Sequence, residues 1–116
     1  MAFIGDNACH VWINYNGDNN SIRDSHNVSS ITDHGSGDQT VHFSVTFSND
    51  DICVVTNQRL DTSGGAPNIV HTGNEHDDNG TTSCRMKCGT GNQNAAGGSG
   101  TAADVASVHV AVFGAN

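Results

Sequence analysis

Leu60, Glu75 and Lys87 are the only leucine, glutamate and lysine in the chain, which leaves little from which to build a helix. Eleven Val and ten Thr favour extended backbone instead, and 14 Gly together with many Asn and Asp favour the tight turns between strands. The sequence therefore predicts an all-β fold of many short strands, a small antiparallel β-sandwich or jelly-roll-like domain. A chain of 116 residues can bury one modest core but not two, so residues 1–116 are expected to form a single domain.

Alternation places the strands. "HVWINY" (10–15) puts Val11, Ile13 and Tyr15 on one face and Trp12 and Asn14 on the other, and Asn16-Gly17 ends it. Short strands are expected around Ile22 and over 28–31, before a turn in "HGSGD" (34–38) whose Gly35 and Gly37 suit positive φ. "TVHFSVTF" (40–47) is the cleanest alternation, sending Val41, Phe43, Val45 and Phe47 inward and His42, Ser44 and Thr46 outward. "DICVVT" (51–56) follows after a short turn and is expected to pair with it as a meander. Weaker strands are expected over 68–72 and 81–88, separated by a loop whose Asn79-Gly80 suits a type I′ turn. The Gly/Ala/Ser tract 89–104 reads as a mobile loop, and "VASVHVAVF" (105–113) as the closing strand.

Twelve acidic against four basic residues give a net charge of −8, which opposes nucleic-acid binding because no basic stripe is present to release phosphate counterions. No apolar run is long enough for a membrane helix, and "MAFIGDNACH" lacks the form of a secretory signal, so a chain made without export or membrane insertion is expected. The sequons at Asn19, Asn27 and Asn79 are accordingly read as products of an Asn/Ser/Thr-rich composition.

The wording of the first third resembles a known family. "WINYNG" followed by "IRDSHNVSSITDHGSGDQTVHF" is similar to a segment of tail-fibre and related virion proteins of bacteriophages, notably phages of marine bacteria and cyanobacteria, of the approximate form AWVNFNG…IRxSxNVSSITDxGTGxYTVNF. The similarity spans Ala8 to Phe43, and Trp12, Asn14, Gly17, the run 27–33, Gly35, Gly37, Thr40, Val41 and Phe43 keep both identity and spacing. "SVHVAVFGAN" at the end resembles the closing strand of such domains. Gln39 stands where an aromatic is common, and Cys9 and Cys53 also depart from the pattern. The resemblance implies a non-enzymatic virion module, often trimeric, at a tail-fibre tip or receptor-binding position, with other virion proteins and a host surface glycan as partners; a capsid decoration protein is the alternative it leaves. Loops 16–20, 57–67 and 74–80 are the expected contact surface, since loops on a rigid scaffold carry recognition.

The residues themselves suggest no cofactor, metal or catalytic set. Cys84 and Cys88 make one CxxxC pair, but zinc would need a second pair from Cys9, His10, His71 or His76, so free thiols or a local disulfide are the simpler expectation. Glu75, Asp77 and Asn79 alternate like calcium ligands, yet Met86 falls where an EF-hand needs its last carboxylate. Asp50-Asp51 and Asp77-Asp78 are adjacent pairs that would diverge on a strand, and no GxSxG elbow occurs. A small carbohydrate-active enzyme would also want more aromatics than one Trp, one Tyr and four Phe. His42 and His109 read as polar-face strand residues; in a trimer either could converge on the axis.

Overall fold

The computed structural model describes residues 8–59, 69–74, 79–91 and 100–115, without the side chains of 69–74, 90, 91, 100 and 101. Its strands are β1 (Val11–Tyr15), β2 (Ile22–His26), β3 (Val28–Gly35), β4 (Asp38–Phe43), β5 (Cys53–Arg59), β6 (Ile69–Asn74), β7 (Ser83–Gly91), β8 (Gly100–Ala102) and β9 (Ser107–Phe113). One sheet has four strands in the order β2-β1-β9-β5; the other has five, in the order β3-β4-β7-β6 with β8 also against β7. Every pairing is antiparallel.

The period-two pattern determines which faces meet. Val11, Ile13 and Tyr15 of β1 and Val108, Val110 and Val112 of β9 are buried, and they pack against Val41 and Phe43 of β4 and Cys84, Met86 and Cys88 of β7. The result is a two-sheet β-sandwich. Each such apolar side chain contributes about 1.5–3 kcal/mol on full burial. Two polar clasps cross the same interior: the Tyr15 hydroxyl donates to Gln39 Oε1 at 3.4 Å, and Gln58 Nε2 donates to the Gly89 carbonyl at 3.0 Å. In the closing strand the same alternation turns Val108, Val110 and Val112 toward the core.

The expected meander of 40–47 with 51–56 does not form. β4 ends at Phe43, and β5 pairs with β9 in the opposite sheet. Residues 44–52 are a crossover, pinned by Ser44 N–H to Asn27 O, Phe47 N–H to Thr81 O and Ser48 N–H to Ala115 O at 2.8–2.9 Å. Phe47 keeps its inward role without a strand, meeting Phe43 edge-on at 5.6 Å and His10 at 5.9 Å. The tight turn before β7 also sits two residues later than expected: Gly80 bridges Ser83, with Thr81-Thr82 at the corner, and Gly80 lacks the positive φ that type I′ would require. Nor is 89–104 a loop throughout. Gly89–Gly91 and Gly100–Ala102 pair as β7 and β8, and Gly37 N–H donates to Asp104 Oδ1 at 2.8 Å. Residues 92–99 lie outside the described ones.

β2 and β3 are one run of chain shared between the two sheets, with Asn27 as the corner. Its φ of 57° is left-handed, its Nδ2 donates to the His10 carbonyl at 2.7 Å, and its own carbonyl accepts from Ser44 N–H at 2.9 Å. Asparagine tolerates this conformation better than residues with a bulkier, non-bonding side chain. Asn27→Ala is expected to cost about 2 kcal/mol, the left-handed penalty plus one hydrogen bond. Asn27→Gly should lose only the hydrogen bond, about 1 kcal/mol. Urea denaturation of both variants measures the difference, and equal losses would contradict the strain assignment.

Candidate functional site

Among the described residues the exposed large apolar side chains are Ile22 on β2 and, on the outer face of the four-stranded sheet, Trp12 and Val55, 37% and 54% exposed. The cause is local. In β1, β9 and β5 the inward positions are claimed by the core, so Trp12, Ala111 and Val55 point the other way, and the register sets them in one row, Trp12 opposite Ala111 and Ala111 opposite Val55. A small residue between two large ones makes a trough. The next row, about 7 Å further along the strands, is Asn14, His109 and Asn57. These residues with Ile13, Thr56 and Val110 line a cavity of about 350 Å³, and none of them is Asp, Glu, Lys or Arg. Asn14 Oδ1 accepts from Arg23 Nη1 at 3.4 Å, whereas the Trp12 indole N–H and the side chains of His109 and Asn57 have no hydrogen-bond partner among the described residues.

The outer face of the other sheet is polar. Thr32 Oγ1 lies 2.8 Å from His42 Nε2, and His34 Nε2 lies 2.9 Å from Thr40 Oγ1. Beside them Asp38 is held by Arg85 through two bonds of 2.8 and 2.9 Å and by Lys87 at 2.6 Å. Hydrogen bonds from Arg85, and secondarily from Lys87, hold the Asp38 carboxyl well below the usual carboxylate range. A pKa depressed on folding gives stability that is complete above the unfolded value, about 4, and is lost as pH falls below it. Asp38→Asn should therefore flatten the acid side of the stability curve below about pH 4, checked by thermal melts across pH 2–7; an unchanged acid limb would remove the assignment.

The residues singled out in the sequence are distributed rather than gathered. His42 and His109 lie on opposite outer faces. Cys84 and Cys88 both face inward from one extended strand, four residues and about 13 Å apart, too far for a disulfide. All four cysteines are free thiols. Burial pushes the Cys84 thiol up to about 12. It also raises the Tyr15 hydroxyl, with smaller contributions from Cys88 and Cys84. Thiol reagents should accordingly modify exposed Cys53 first and reach Cys84 only on unfolding, with mass spectrometry of timed digests as the check. Cys9 donates to Val11 O at 3.2 Å, and His10 stacks edge-on with Phe47. Among the described residues no three His, Cys, Asp or Glu converge. Glu75, His76, Asp77 and Asp78 lie outside the described residues, as do 60–67 of the expected contact loops, while Asn57 belongs to β5.

Of the outward-facing trough residues, Val55 and Ala111 are the ones that sequence reading did not single out, and Asn57 was expected in a contact loop rather than in a strand. The available signal was that Trp12 sits on the polar side of an otherwise clean alternation. Comparison of the chain with protein-family models, with curated proteins and with solved structures finds no match in any of the three.

Proposed function

We propose that the chain is a non-enzymatic structural module of a bacteriophage virion, acting at a tail-fibre tip or receptor-binding position as a homotrimer beside other virion proteins. One observation carries the reading. The segment 8–43, where the resemblance to virion proteins lies, forms β1 to β4, supplies two strands to each sheet, and also contributes Trp12 to the open trough. The resembling part thus includes both the scaffold and an outward binding surface. A rigid sandwich presenting such a face suits a recognition role, with association adding buried surface that a small domain has little of by itself.

Electron microscopy of particles labelled with an antibody to this chain tests the placement. Label at the distal end of the tail fibres is expected; label over the head would assign capsid decoration instead, and unlabelled particles would overturn both. Sedimentation at micromolar concentration is expected to give a trimer, and a monomer there would remove the homo-oligomer from the proposal.

A further inference from the structure

We propose that the Trp12 trough binds a neutral pyranose sugar; this deepens the receptor-binding reading and takes its biological setting from it. The trough joins two properties that such a ring needs. A pyranose has a flat face of C–H groups and a rim of hydroxyls, each both donor and acceptor. The Trp12 indole offers an electron-rich face toward which C–H groups are drawn. Ala111 leaves room for the ring beside it, and Val55 walls the far side. His109 and Asn57, uncommitted to any described partner, supply an imidazole and a carboxamide that each donate and accept.

Charge and topology narrow the ligand further. The lining holds no Asp, Glu, Lys or Arg and the chain as a whole carries −8, a field that opposes anionic saccharides and leaves neutral ones unaffected, although the Arg23 guanidinium, bonded to Asn14, sets one positive charge at the margin of the trough. An added peptide strand is disfavoured because the trough lies over β9, whose backbone is paired on one side with β1 and on the other with β5. Strand addition needs a free sheet edge. The volume of about 350 Å³ is at the small end of ligand sites, suited to one or two rings.

Trp12 is the only tryptophan in the chain, so its emission reports on this site alone. The full chain is titrated with methyl glycosides of glucose, galactose, mannose and N-acetylglucosamine and with their neutral oligosaccharides. A saturable shift of emission to shorter wavelength is expected with at least one of them. Asn57→Ala combined with His109→Ala should weaken that binding at least about tenfold, or about 1.4 kcal/mol, with circular dichroism and free-protein emission unchanged. Asp38→Asn, on the opposite sheet, should leave it intact. No saturable response to any neutral sugar, in emission or in amide shifts of residues 12, 57, 109 and 111, would overturn the proposal. Tighter binding of a uronic acid would overturn its neutral class. An emission shift that follows protein concentration in sugar-free buffer, with no response to sugar, would give the face to a second copy and overturn it too. Because the isolated chain is titrated, failure here leaves the labelling of particles untouched, and unlabelled particles would leave a measured sugar affinity standing.

Discussion

Phe43→Ala is expected to destabilise the domain by about 3–5 kcal/mol, the range for truncating a buried aromatic, and to lower the melting temperature by roughly 4 °C per kcal/mol. Phe43 is only 6% exposed and stands at the end of β4, where it meets Phe47 edge-on at 5.6 Å. Removing its ring opens a void between the sheets and also frees the crossover, since Phe47 is the residue that closes that end of the core. Phe43→Leu should recover more than half of the loss because it refills most of the volume. Thermal and urea melts of the two variants measure this, and a melting temperature for the alanine variant within a degree or so of the parent would contradict the packing.

Gly37→Ala is expected to rival that loss by a different route. Gly37 has φ of 65°, and a Cβ placed on it would lie 2.1 Å from the Cys88 carbonyl oxygen and 2.9 Å from both Ala103 N and Ala103 O. These are backbone atoms of β7 and of the segment just after β8, so no side chain can swing aside. The Gly37 carbonyl also accepts from Cys88 N–H at 2.7 Å, which ties the start of β4 to the same point. Gly35 is the control. Its φ of 131° is also unfavourable for alanine, but a Cβ there would meet nothing within 4 Å. Gly35→Ala should cost about 1–3 kcal/mol of conformational strain, whereas Gly37→Ala adds the clash and should expose residues 100–104 to limited proteolysis. Equal stability of the two variants would show that the three segments do not meet as described.

The inward faces were legible because burial follows a period of two: Val11, Ile13 and Tyr15, Val41 and Phe43 all lie where alternation puts them. The same reasoning misassigned residues 44–47, since the inward turn of Phe47 looks identical whether the backbone continues in a ladder or crosses between sheets. Alternation records which side chains are covered and carries no information on which strand the backbone bonds. That is why β5 was assigned to β4 rather than to β9, whose register with it joins Cys53 to Phe113 across a long stretch of sequence. Gln39 stood out as an unusual residue at an aromatic position, but its partner, the Tyr15 hydroxyl, comes from the opposite sheet. The trough was the least legible feature, for it needs residues 12, 111 and 55 side by side, and no local spacing encodes a row assembled from three strands.

That construction has a consequence for how such a surface can diversify. Trp12, Asn14, Val55, Asn57, His109 and Ala111 each sit between neighbours that face inward or are partly covered, so their side chains can be exchanged while the core stays as it is. A single inserted residue in β9 would instead reverse the facing of every residue on one side of it, turning buried valines toward solvent. Lineages carrying this domain should therefore vary the face by substitution at fixed length, and confine changes of length to the connections between strands.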